Sequence, residues 1–108
     1  MNILMDYRTQ RSAFFRIVST KQNLKCLFES VPKDFDTFLY DALCDPSEDL
    51  TAILEQHINT QGVEYYVSAH AEMYLFFSQE FFDVVFISFS GTSLLERTCE
   101  KITKALAH

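Results

Sequence analysis

The sequence predicts an α+β fold in which an antiparallel sheet of about four strands carries helices on one face. Three patterns predict this class. Apolar residues recur at helical spacing over residues 21–58, strand-like alternation with many aromatic and β-branched residues fills residues 63–90, and a helical pattern returns after Gly91. The predicted order of elements is β-α-α-α-β-β-β-α in a single domain that spans residues 1–108.

The first strand and the first helix are predicted from residue types and capping. Residues 13–19 are rich in aromatic and β-branched types, which favours a strand, with a helix beginning near Asp6 as the alternative. Thr20 can cap a helix over residues 21–30, and Pro32 terminates it. The apolar face of this helix consists of Leu24, Leu27, Phe28 and Val31.

Two further helices are predicted in the middle of the chain. Asp34 caps the first of them, and Asp45 followed by Pro46 is a strong start signal for the second. Residues 59–62 end the second helix. The two apolar faces consist of Phe35, Phe38, Leu39 and Leu43, and of Leu50, Ile53, Leu54, His57 and Ile58.

The later part of the chain changes to the period of a strand. Residues 63–70 alternate apolar and polar types, and residues 72–78 and 82–90 continue as strands, the last of them central in the sheet. A helix over residues 69–80 is the alternative, because no Gly or Pro marks the turns there.

A last helix is predicted after Gly91, with Thr92 or Ser93 as its cap. Its inward-facing residues are Leu95, Cys99, Ile102 and Leu106. The three cysteines are predicted to be buried, reduced thiols that pack as small hydrophobic side chains. They are Cys26, Cys44 and Cys99.

The composition is that of an ordinary folded protein. The chain has 108 residues, of which 48% are hydrophobic and 15% aromatic, so it can bury a core. Apolar runs such as residues 84–87 are far shorter than the roughly 20 residues that span a membrane. The first residues do not resemble a signal peptide, and three cysteines without a CxxC pair do not make a disulfide framework. We therefore expect a cytoplasmic protein.

No motif in the sequence assembles a catalytic or metal site. His70-Ala71-Glu72 matches the first half of the zinc-deaminase signature, but the Pro-Cys-x-x-Cys half is absent. A small enzyme would have to use His57, His70 or Cys99, and no spacing selects these residues. The two glycines do not form a phosphate-binding loop. We predict a protein that is not an enzyme and that has no cofactor and no metal.

The distribution of charge is the most unusual feature of the sequence. The net charge is −6, but residues 1–33 carry +4 and residues 97–108 carry +2. Residues 34–96 contain 12 acidic side chains and no Lys or Arg. Like charges crowded in this way repel each other and destabilise the folded state, and a basic partner that benefits from the negative field would explain why they are present.

The acidic run therefore predicts a face that binds a basic protein, with Tyr40 as its aromatic anchor. The residues expected to contact the partner are Asp34, Asp36, Tyr40, Asp41, Asp45, Glu48, Asp49 and Glu55. Nucleic acid is disfavoured as a partner because the potential has the wrong sign for phosphates, and no membrane contact is expected.

Aromatic residues are concentrated in the later part of the chain. They form either a second core face under the helices or an exposed patch at an interface with a partner or a second copy. The residues concerned are Tyr65, Tyr66, Tyr74, Phe76, Phe77, Phe81 and Phe82.

In its size, its lack of a signal and its acidic run over residues 34–96, the chain resembles the immunity proteins of bacterial toxin systems, including those of contact-dependent growth inhibition. The resemblance implies a protein that is not an enzyme, binds one basic toxin domain, often a nuclease, and occludes its active site. The resemblance does not assign a functional role to any individual residue of this sequence. The second hypothesis is a homodimeric acidic chaperone or adaptor for a secreted effector, assembled on the sheet of residues 63–90.

Overall fold

The structure, a computed structural model, describes residues 2–32 and 62–107 of the chain. These residues form a five-stranded antiparallel sheet with two helices on one of its faces. The strands are β1 (Ile3–Arg8), β2 (Ser12–Val18), β3 (Gly62–Val67), β4 (Ala71–Phe77) and β5 (Phe81–Ser88), and the helices are α1 (Lys21–Ser30) and α2 (Thr92–Leu106). The spatial order of the strands is β1-β2-β5-β4-β3.

The predicted fold was wrong in its element order and in its number of strands. A strand that the sequence did not predict, β1, precedes the predicted first strand, so the sheet has five strands and no helix begins near Asp6. Five of the six residues of β1 are exposed, so the strand lacks the alternation that marks a half-buried strand. The two helices predicted over residues 34–58 lie outside the described residues.

The start of α1 confirms the capping prediction. The Thr20 hydroxyl accepts a hydrogen bond from the Asn23 backbone N–H at 3.1 Å. The Asn23 side chain donates to the Val18 carbonyl at 2.9 Å, which ties the helix to the end of β2. At the other end, the Ser30 hydroxyl donates to the Cys26 carbonyl at 2.7 Å. Local sequence therefore sets both ends of this helix.

The start of α2 differs from the prediction. Thr92 is its first helical residue, and the preceding residue is Gly91, which makes no side-chain cap. The φ angle of Gly91 is 87°, a conformation that favours glycine. The Ser88 hydroxyl donates to the Gly91 carbonyl at 2.8 Å and so fixes the turn from β5 into the helix.

The core lies between the sheet and the two helices. Alternate residues of β2, β4 and β5 are buried against the apolar faces of α1 and α2, and β5 is the central strand, as predicted. The alternative of a helix over residues 69–80 is excluded by β4. The largest fully buried side chains are Tyr66, Phe15, Phe28, Phe82, Phe86, Ile17, Leu24, Leu27, Met73 and Leu75.

The pKa of Tyr66 predicts an alkaline loss of stability. Burial, with a further contribution from Glu64, raises the pKa of Tyr66 above its ordinary value of 10.0. The unfolded chain releases this proton near the ordinary value, whereas the folded protein keeps it. The contribution to stability is therefore full below that pH and falls above it, by about 1.4 kcal/mol per pH unit for one group.

Urea unfolding at increasing alkaline pH tests this prediction. The free energy of unfolding of Tyr66→Phe should fall less steeply above the ordinary tyrosine pKa than that of the unsubstituted protein. Tyr7→Phe, at an exposed position, is the matched control and should keep the original slope. Equal slopes for the unsubstituted protein and Tyr66→Phe would contradict the prediction.

Candidate functional site

The sheet face opposite the two helices is the candidate functional site, and we call it the open face. In antiparallel pairing, residues directly opposite each other lie on the same face, so the registers define rows that cross the sheet. The central row runs through all five strands and consists of Tyr7, Phe14, Val85, Tyr74 and Tyr65. The next row consists of Met5, Arg16, Asp83, Phe76 and Val63.

Aromatic rings on the open face contact one another. The ring centroids of Tyr65 and Tyr74 are 4.8 Å apart, and those of Tyr74 and Phe76 are 6.2 Å apart with nearly parallel rings. The Tyr65 hydroxyl donates to a Glu72 carboxylate oxygen at 2.8 Å, which fixes the orientation of its ring. These neighbours hold the exposed rings in place before any partner binds.

The open face carries most of the exposed large apolar side chains among the described residues. Five of the seven belong to it, and they are Met5, Tyr7, Val63, Tyr65 and Phe76. The other two, Leu4 and Phe89, lie outside the two rows. Apolar residues that are clustered in this way mark interaction surfaces, whereas scattered ones do not.

The aromatic cluster predicted in the later part of the chain divides between the two alternatives. Tyr66, Phe77 and Phe82 are buried in the core. Tyr65 and Phe76 are exposed on the open face. In β3 the set of alternate residues that is more polar faces the core. The more apolar set, which includes Val63, faces outward. The period of a strand separates its two faces but does not say which one is covered.

An ion pair lies within the open face. The Arg16 guanidinium donates two hydrogen bonds to the Asp83 carboxylate, at 2.8 and 3.0 Å. The same guanidinium lies 4.1 Å from the centroid of the Phe81 ring. The hydrogen bonds that Arg16 donates to Asp83 are the main cause of the raised pKa of Arg16. The pair neutralises both charges, so the two strands at the centre of the sheet present a mostly apolar surface.

The described part of the chain has no net charge. It contains eight Lys and Arg residues and eight Asp and Glu residues. Residues 33–61 contain seven acidic residues and one basic residue, so they carry the whole net charge of −6. The negative charge therefore belongs to one segment of sequence, and the open face belongs to another.

The predicted partner-binding residues lie in this acidic segment, outside the residues that the structure describes. Their arrangement remains a prediction. They are Asp34, Asp36, Tyr40, Asp41, Asp45, Glu48, Asp49 and Glu55.

The candidate catalytic residues occupy different surroundings. His70 is exposed in the turn before β4, and its Nδ1 atom lies 2.9 Å from the Ser90 hydroxyl. Glu72, the other residue of the half signature, accepts a hydrogen bond from the Tyr65 hydroxyl. Cys99 is buried on α2, and burial raises the pKa of its thiol. The remaining candidate, His57, lies outside the described residues.

Residues 2–32 and 62–107 lack both a metal-ligand cluster and a membrane-spanning helix. No cluster of three or more His, Cys, Asp or Glu side chains there could hold a metal ion. Neither of the two helices combines the length and the apolar character that crossing a membrane requires.

Comparison with protein-family models, with curated proteins and with solved structures gives no match to this chain. The function is therefore inferred from geometry and charge.

Sequence reasoning missed the ion pair in the open face. Arg16 and Asp83 each interrupt an otherwise apolar strand, and this was the available signal. Their pairing, however, follows only from the register between two strands, because the two residues are 67 positions apart in the sequence. Tyr7 was missed as well, because β1 was not predicted.

A comparison of two ion pairs tests how much the open face stabilises its charges. The side chains of Arg16 and Asp83 are 33% and 16% exposed, whereas those of Arg8 and Asp6 are 45% and 35% exposed. We expect a larger coupling free energy for the less exposed pair, because water screens its attraction less. Double-mutant cycles with Gln and Asn replacements, followed by urea unfolding, measure both values. A coupling for Arg16 and Asp83 no larger than that of the exposed pair would contradict the prediction.

Proposed function

We propose that this protein is a stoichiometric binding protein and that its open face docks a basic partner protein. The observation that carries the proposal is the row of side chains that crosses all five strands of the open face, four of which are aromatic. Aromatic side chains that are already held in place lose little freedom on binding, and they are frequent energetic anchors at the centres of interfaces. An open sheet face that bears such a row is suited to a broad protein surface.

The charge of the chain supports a basic partner. Residues 33–61 carry the whole net charge of −6, while the part that includes the open face is neutral. A concentrated negative charge attracts a positive protein over a distance and speeds the encounter. The aromatic surface then supplies affinity, and the ion pair of Arg16 with Asp83 keeps the charges at its centre paired.

The specific form of the proposal is an inhibitor of the immunity type. Such a protein binds a basic toxin domain, for example a nuclease, and occludes its active site. The acidic segment supports this form because carboxylates can take the place of nucleic-acid phosphates opposite lysine and arginine side chains. Inhibition by occlusion requires shape and charge and needs no catalytic group in this chain.

A second candidate is an acidic homodimeric chaperone or adaptor that holds a secreted effector. The aromatic part of β3 and β4 on the open face favours it, because two copies could cover these rings against each other. Each copy would also bring its charge of −6 to the dimer. This repulsion makes a basic partner the better match.

Two serine substitutions provide a matched test of the docking surface. The Phe76 side chain on the open face is 42% exposed, and that of Phe89 in the turn after β5 is 57% exposed. Phe76→Ser should weaken the complex with the cognate basic protein by about tenfold or more, since it removes an aromatic anchor. Phe89→Ser should leave the affinity unchanged.

The complex for this test is obtained by co-purification of the tagged protein from its native cells at low salt. Calorimetry then measures affinity and stoichiometry for the two variants, and thermal unfolding verifies that both are folded. Equal effects of the two substitutions would contradict docking on the open face. Recovery of only a salt-resistant homodimer would favour the adaptor.

A charge reversal tests the role of the acidic segment. Asp45→Lys should lower the association rate constant with the basic partner, because it weakens the negative field that speeds the encounter. The association rate of the unsubstituted protein should itself fall by roughly 10-fold or more from low to high salt. Stopped-flow fluorescence measures both quantities. An association rate that does not depend on salt would contradict a basic partner.

A further inference from the structure

We infer that β3 is a docking edge at which an extended strand of the basic partner adds to the sheet. This inference rests on the proposed function, because it assigns a second contact of the same complex. It concerns the backbone of β3, whereas the proposed function concerns the side chains of the open face. The two contacts adjoin, since Val63 and Tyr65 belong both to the open face and to the edge strand.

The hydrogen-bond pattern of the β3–β4 hairpin shows which backbone groups point outward. The Ser68 N–H donates to the Ala71 carbonyl at 2.9 Å and closes the hairpin. Hydrogen-bonded and non-hydrogen-bonded pairs alternate from that point along an antiparallel ladder. The N–H and C=O groups of Val63, Tyr65 and Val67 therefore point away from β4, toward the outer edge of the sheet.

Within residues 2–32 and 62–107, the opposite edge of the sheet carries protective features that β3 lacks. By the same alternation, the outward backbone groups of β1 belong to Asp6 and Arg8. The side chains of these two residues form an ion pair, and the register of β1 shifts between Ile3 and Met5. Charged side chains and bulges are the usual means by which proteins block an edge strand from further pairing.

The β3 edge has the properties of a strand that accepts a neighbour. Its pairing with β4 is regular over six residues and is not interrupted by a bulge. Its outward residues, Val63, Tyr65 and Val67, are uncharged and of types that favour strands. The side chains of Val63 and Tyr65 are exposed, so an added strand would extend the aromatic surface of the open face by one row.

Charge indicates that the occupant is a basic strand and not a second copy of this chain. The acidic segment joins β3 directly at Gly62, and its last acidic residue, Glu55, precedes Gly62 by seven positions in the sequence. Two copies paired at β3 would bring two charges of −6 to one junction. A strand that alternates basic and apolar residues would place its apolar side chains beside Tyr65 on the open face and its basic ones on the other face of the sheet.

Amide hydrogen exchange, measured by NMR, tests the inference on the full chain. The probe is a capped peptide of alternating lysine and valine, about eight residues long, and the control peptide alternates glutamate and valine. Saturable binding of the lysine peptide should slow exchange at the Val63, Tyr65 and Val67 amides by about tenfold or more, as new backbone hydrogen bonds form. Exchange at the Asp6 and Arg8 amides should not change.

A proline substitution gives an independent measurement. Val63→Pro removes one outward N–H at a position where an edge strand tolerates proline. It should therefore lower the affinity for the lysine peptide by about tenfold. If this variant fails to fold, the exchange data on the unsubstituted protein decide the question. No saturable binding, equal binding of the glutamate peptide, or protection of β1 amides would overturn the inference. So would protection of β3 that rises with protein concentration alone, because the occupant would then be a second copy.

The failure of this inference and that of the proposed function give different results. Suppose that the cognate partner loses affinity for Phe76→Ser but binds Val63→Pro normally and leaves the β3 amides unprotected. The open face would then be the interface, and the edge would not. If both variants bind the partner normally, the proposed function fails as well.

Discussion

Alternation of side chains along the strands is the constraint on which the rest of this structure depends. Phe15, Val84 and Leu75 lie opposite one another on neighbouring strands and are fully buried under the helices. Their neighbours in sequence must then occupy the other face, and these include Phe14 and Tyr74. A slip of one residue would exchange the two sets, so the register that buries the core also builds the aromatic row.

The charges are also distributed unevenly along the chain. The ion pair between Arg16 and Asp83 keeps the centre of the open face neutral, while residues 33–61 hold the excess negative charge. In the proposed function, the acidic segment supplies long-range attraction and the open face supplies short-range contact. Long-range attraction depends on net charge more than on exact geometry, so the acidic segment could change in sequence without loss of the contact surface.

Short-range patterns in the sequence predicted local structure. They did not predict which distant strands pair or which sheet face is covered. Thr20 caps α1 as expected because the cap joins residues only three positions apart in the sequence. The strand that contains Tyr7 was missed because its exposed side chains carry no period, and the cap of α2 was misassigned because Gly91 takes the turn without a side-chain bond. The pairing of Arg16 with Asp83, and the choice of which face the helices cover, are set only when distant strands meet.

The order of the strands has a consequence for how the chain folds. The hairpins β1–β2, β3–β4 and β4–β5 close locally, but β2 reaches β5 only across most of the chain. Until they meet, both strands expose an apolar edge that could pair with the wrong chain. Arg16 and Asp83 each place one charge in the middle of such an edge, where it discourages aggregation, and each charge is neutralised only by the correct neighbour in the correct register. In the folded protein the two residues form an ion pair, and during synthesis they act as gatekeepers.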